Sequence, residues 1–156
     1  MNCTWLFILS FLVVFPTAGL ARIGEHLPDC IYRYGKPIFE DSRENRYRFS
    51  KEGFLITVII RKEKTELICY EKVEKNSLNQ PAPLSDNEVE LLMKINGGAR
   101  KWKKRDVMSM DKEWETEDGK LNSYYLENKC VVLTKECAER IVAERKAKEK
   151  ESIERL

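Results

Sequence analysis

Apolar and polar positions change period twice along the chain. Phe54 to Ile60 is apolar at every position except Thr57 and is rich in β-branched residues, which makes it the strongest strand signal present. Ahead of it, Arg46-Tyr47-Arg48-Phe49 alternates polar and apolar, and Ser50 to Gly53 reads as a turn. Pairing Phe49 with Phe54 and Tyr47 with Ile56 places Tyr47, Phe49, Phe54, Ile56 and Val58 on one face. Arg61 to Lys64 turns the chain again, and Thr65 to Val73 returns as a third strand carrying Leu67, Ile68, Cys69 and Tyr70. Before these strands, Pro28 to Tyr34 reads as a short helix. Proline suits its first position, Ile31 and Tyr34 share a face, Gly35 suits the end and Pro37 stops it.

Residues 74–84 have the composition of a linker, and the order then repeats. Ser85-Asp86-Asn87-Glu88 is a capping box. Val89, Leu92, Met93 and Ile95 form the apolar side of a helix that Asn96-Gly97-Gly98 ends. Asp118-Gly119 reads as a two-residue hairpin turn. Pairing around it puts Trp114, Thr116, Leu121, Ser123 and Tyr125 on one face. Glu113, Glu115, Glu117, Lys120 and Asn122 fall on the other, with Glu117 opposite Lys120. Cys130 to Thr134 is a further strand. A helix follows from about Lys135 to Arg155, with Ala138, Ile141 and Val142 placed to dock on the sheet. Beyond them it is charged all round, with opposite-sign pairs Glu144/Lys148, Lys150/Glu154 and Glu151/Arg155. The expected fold class is therefore α+β: two similar halves, each a helix followed by antiparallel strands, over 22–73 and 85–134, with a C-terminal charged helix over 135–156. The two halves are candidate tandem modules, and the pattern leaves open whether they share one sheet.

The first residues bear on location. Trp5 to Phe15 is an uncharged run broken only by Ser10, too short for a bilayer core that needs about 20 residues. Gly19-Leu20-Ala21 fits a signal-peptidase site, so residues 1–21 are expected to be removed and the protein to be periplasmic or secreted. No Lys or Arg precedes the apolar run, which keeps an uncleaved anchor as the other reading. Cys3 lies at the wrong end of the run for lipid attachment.

Charge narrows the partners. Residues 22–80 carry 12 basic and 10 acidic side chains, and residues 81–156 carry 16 of each, so there is no global field for a polyanion. The local exception is Arg100-Lys101-Trp102-Lys103-Lys104-Arg105, five cations around one indole. Asp106 to Asp118 answers it with six acids and one lysine. A mixed-charge face with Trp102 packed inward is one reading, and an interaction surface is the other. Export makes nucleic acid a poor ligand. Another envelope or extracellular protein, an anionic lipid or an acidic polysaccharide fits better.

Little here carries chemistry. His26 is the only histidine and has no nucleophile motif near it. Gly97-Gly98 follows no strand and precedes no Gly-Lys-Ser/Thr, so it reads as a helix end. Cys30, Cys69, Cys130 and Cys137 permit two disulfides in an oxidising compartment. One bridge per half, 30–69 and 130–137, is the simplest of three connectivities, although a strand start and a first helical turn sit poorly for the second; free buried thiols are the alternative. No Cys-x₂₋₄-Cys spacing suggests zinc, and no cofactor is expected.

Gly24, Gly35 and Pro37, followed by three strands in order, resemble the SmpA/OmlA (BamE-type) helix–sheet module. There a glycine opens a short helix, a second closes it eleven residues on, and x-Pro follows. The likeness covers about 22–73. Similar folds occur as tandem modules in secreted enzyme inhibitors, and the chain also looks like small exported bacterial proteins. The acylated cysteine of the family's envelope members is missing, and Pro28 intrudes on the helix start. The resemblance implies a non-catalytic, protein-binding role. The alternatives are a secreted inhibitor, a binder of anionic surfaces, and a small hydrolase using carboxylates.

Overall fold

The computed structural model of the chain describes residues 22–106 and 112–155. The elements run α1 (Leu27–Tyr34), β1 (Phe39–Asp41), β2 (Arg46–Lys51), β3 (Phe54–Arg61), β4 (Lys64–Lys72), α2 (Asp86–Gly97), β5 (Trp102–Arg105), β6 (Lys112–Thr116), β7 (Leu121–Leu126), β8 (Lys129–Thr134) and α3 (Lys135–Glu154). The fold is α+β. Its eight strands make one antiparallel sheet in the order β1-β2-β3-β4-β8-β7-β6-β5. Each half supplies a helix and a four-stranded meander, and the meanders meet where β4 pairs with β8. The apolar run proposed as a signal, Trp5 to Phe15 with its cleavage site, lies outside the described residues. No helix among the described residues is long and apolar enough to cross a membrane.

Local chemistry explains the ends of the helices. Pro28 sits in the first turn of α1, where its missing N–H costs nothing, and the Asp29 carboxylate accepts from the His26 amide at 3.1 Å. Ser85 caps α2 by accepting from the Glu88 amide at 3.3 Å, and Glu88 accepts from the Ser85 amide at 2.7 Å. Thr134 caps α3 by accepting from the Cys137 amide at 3.1 Å.

Three expectations change in detail. The β2–β3 hairpin turns on Glu52-Gly53 alone, both at positive φ, so Phe49 pairs with Ile56 rather than Phe54, and Tyr47 with Val58. A shift of two residues keeps every side chain on its expected face, because the pleat repeats every two. Asp118-Gly119 is not a two-residue turn. The expected register holds, with Trp114 opposite Ser123 and Glu115 opposite Asn122, but the strands stop at Thr116 and Leu121, and across the longer connection the Asp118 carboxylate accepts from the Lys120 amide and the Thr116 hydroxyl. Glu117 and Lys120 form no ion pair among the described residues; the Glu117 amide donates to the Lys101 carbonyl. Finally, α2 continues through Gly97 and ends at Gly98, whose φ of +61° favours glycine.

The helices α1 and α2 cover one face of the sheet. Cys30 and Tyr34 pack on Phe49, Ile56, Val58, Ile68 and Tyr70. Val89 and Met93, with Leu84, pack on Cys130 and Val132, rimmed by Trp102, Trp114 and Tyr125. The third helix lies on the other face, over β7 and β8.

Candidate interaction surfaces

The cluster Arg100 to Arg105 forms the tip and strand of the β5 edge. Trp102 is half-buried and turned toward α2, where its Nε1 donates to the Met93 carbonyl at 3.1 Å. The indole lies against Gly97, and a Cβ there would sit 2.6 Å from Nε1. That contact, rather than helix termination, is what Gly97 serves. Trp102 therefore belongs to the core rim and does not sit among its flanking cations on an outer surface. Two of those cations are paired: Arg100 Nε lies 3.0 Å from Asp118, and Arg105 lies 4.0 Å from Glu113. Lys101, Lys103 and Lys104 are exposed and form no ion pair among the described residues. They sit along the edge of the sheet, where lysine discourages strand addition from another chain.

The four cysteines are free thiols. The proposed Cys30–Cys69 bridge fails on sheet geometry. Ile68 and Tyr70 face the helices with Cys30, so Cys69 between them points to the opposite face. Cys30 instead lies 3.5 Å from the Thr65 hydroxyl. Cys130, on the face covered by α1 and α2, neighbours Ser123, whereas Cys137 is buried in the first turn of α3, on the other face, beside Arg140. Burial pushes the Cys69 thiol up to about 11 and the Cys130 thiol up to about 12, so both stay protonated at neutral pH and are poor nucleophiles. His26 caps α1 and its Nδ1 lies 2.8 Å from the Glu63 carbonyl, an exposed structural contact. Among the described residues no group of His, Cys, Asp or Glu has the arrangement of a metal site.

The expected docking of α3 holds only at its start. Cys137 is buried, whereas Ile141 and Val142 are 44% and 41% exposed. The helix is anchored by Arg140, which makes a two-pronged pair with Glu66 on β4. Of the pairs expected along its surface, Lys150–Glu154 and Glu151–Arg155 form, while Glu144 pairs back to Arg140.

What remains uncovered is the outer face of the first half. Strand alternation puts Leu55, Thr57 and Ile59 of β3, Leu67 and Cys69 of β4, and Val131 of β8 on one strip. All six are half-buried, and no helix lies over them among the described residues. The strip is bounded on one side by Phe39, 45% exposed, with the guanidiniums of Arg46 and Arg48 over its ring at 5.9 and 5.6 Å. On the β8 side, Lys129 and Glu71 pair at 3.4 Å. An antiparallel strand with one wet face normally alternates apolar and polar. Phe54 to Ile60 does not, and this unbroken run is the signal in the sequence from which the strip could have been found.

No known family model, no curated protein and no solved structure matches the chain. The likeness to the SmpA/OmlA module thus rests on the residues that carry it.

Proposed function

We propose that the protein is an exported, non-enzymatic module that binds another protein, at the cell envelope or outside the cell, through the outer strip of β3, β4 and β8. One observation carries this reading: β3 and β4 are apolar on both faces, yet helices cover only one. Leaving Leu55, Ile59, Leu67 and Val131 wet is unfavourable for a chain that never covers them, at about 25 cal/mol per Å² of apolar surface. A protein partner would cover them. The SmpA/OmlA likeness over 22–73 implies a protein-binding role of the same kind. The repeated order of helix and four strands supports a reading of the halves as tandem modules. An inhibitor of a secreted enzyme would use the same surface. Anionic lipid or glycan is a second reading, favoured by exposed Lys101, Lys103 and Lys104.

The test is co-purification of the tagged chain from its own envelope and secreted fractions at low and moderate salt, beside two variants. Ile59→Glu with Leu67→Glu is expected to lose a stoichiometric partner that Lys103→Glu with Lys104→Glu retains. The opposite pattern, with strong salt dependence, would move the site to the β5 edge. Absence of any partner for the native chain would sink the reading.

A further inference from the structure

A cleft of about 180 Å³ opens between α1 and α2 on the helix-covered face. Phe54, Ile56 and Tyr70 line it from the sheet, Tyr34 from α1, and Leu91, Leu92 and Ile95 from α2. Two of the three rim charges are engaged: Lys51 donates to the Arg33 carbonyl at 2.5 Å, and Glu88 pairs with Lys72 at 3.1 Å, while Glu52 is exposed and forms no ion pair among the described residues. An apolar cavity of about 150 Å³ accepts one benzene ring, so this space matches a single aromatic ring.

The polar end of the cleft is a short chain of hydrogen bonds. Asn96 Nδ2 donates to the Leu92 carbonyl at 2.8 Å and to Tyr70 Oη at 3.0 Å. Tyr70 in turn donates toward Asn96 Oδ1 at 3.5 Å. Tyr34 Oη lies 3.2 Å from Tyr70 Oη, and either hydroxyl can donate to the other. The chain ends there. Tyr34 is 6% exposed, and its oxygen, with two lone pairs, keeps acceptor capacity with no donor beyond Tyr70 among the described residues. Burial raises the pKa of Tyr34 above its ordinary value, which keeps the hydroxyl neutral.

We propose that this cleft is a binding site for a single aromatic ring bearing a hydrogen-bond donor, with the ring held by Ile56, Leu92 and Ile95 and the donor directed to Tyr34 Oη. The ring has two sources, a free small phenol or the tyrosine side chain of a partner. The site lies on the opposite face from the outer strip, so either proposal can fail alone.

The experiment is a titration of the full chain, followed by the methyl NMR signals of Ile56 and Leu92. The probes are toluene, p-cresol and N-acetyl-tyrosinamide. Saturable shifts are expected with p-cresol, which should bind about threefold to tenfold more tightly than toluene, the worth of one net hydrogen bond. In Tyr34→Phe, which keeps the ring and leaves Tyr70 bonded to Asn96, that preference should fall to about one. Leu92→Trp should fill the cleft and abolish binding. Should that variant not fold, Tyr34→Phe decides the matter alone. Binding of N-acetyl-tyrosinamide as well as p-cresol supports a side-chain source, and p-cresol alone supports a free phenol. The proposal is overturned by absence of saturable shifts, by equal affinity for toluene and p-cresol, or by a preference that survives Tyr34→Phe.

Discussion

The two halves of the sheet use the same element order and stabilise it differently. Under α1 the floor is large and apolar, with Phe49, Val58 and Ile68 fully buried. In the second half Thr116, Asn122 and Ser123 are buried among Leu121, Val132 and Leu133, and half-buried Trp102 and Trp114 close the rim. Their outer faces differ too. The second half is covered by α3 and laced by pairs such as Arg105–Glu113, while the first half leaves its apolar strip bare. A helix over a four-stranded meander can thus be held either by a dense floor or by an indole clamped on a glycine. The half with the denser floor is also the one with surface to spare.

That contrast can be broken first at the floor. Phe49→Ala should cost about 4 kcal/mol, the cost of a cavity under a fully buried aromatic, while Ser123→Ala in the second half should cost about 1 kcal/mol or less. Denaturant unfolding of both variants checks this, and equal losses would erase the distinction. The clamp comes next. Gly97→Ala should cost about 2 kcal/mol, because the new methyl meets the Trp102 indole. Combined with Trp102→Leu, the penalty for the methyl should largely disappear, and a double-mutant cycle measures that coupling. Strictly additive losses would mean the indole and the glycine do not act together.

The smallest effect is expected in alkali and belongs to the first half. Burial raises Tyr34 and pushes Tyr70 up to about 12, so the folded state holds both protons more firmly than the unfolded chain does. Their contribution is fully present below the ordinary tyrosine value of 10 and is lost as pH rises toward about 12. Stability measured across that window should fall, and Tyr70→Phe should flatten the fall. A profile unchanged by Tyr70→Phe would place the alkaline sensitivity elsewhere.

Much of this architecture was legible from pattern. The capping box at Ser85, the proline and glycine bracketing α1, and the β3 run each carry a local mechanism, and local mechanisms survive into the fold. Face assignments survived even where the β2–β3 register slipped, since a two-residue slip is invisible to alternation. What did not read through depends on contacts distant in sequence. The three-residue strand β1 exists because β2 is there to pair with it. Gly97 looked like a helix stop, and its reason for being glycine is a tryptophan that returns against the helix. The orientation of Cys69 away from Cys30 follows from the pleat once β4 is placed. The candidate site was the least legible. Charge density drew attention to Arg100–Arg105, whereas the open strip announced itself only as alternation that failed.

The β4–β8 seam also sets an order of assembly. Within each half, successive strands are neighbours that lie close in sequence. The seam instead joins Tyr70 to Cys130, roughly sixty residues along the chain, so its loop-closure entropy is the largest in the sheet. Each meander can form from local contacts before the other exists. The seam ladder, Leu67–Leu133 through Tyr70–Cys130, carries the largest closure cost, and a chain that has not yet made it presents two unpaired strand edges. A second molecule at the same stage offers the same edges, so pairing between copies competes with closure of the seam within one chain.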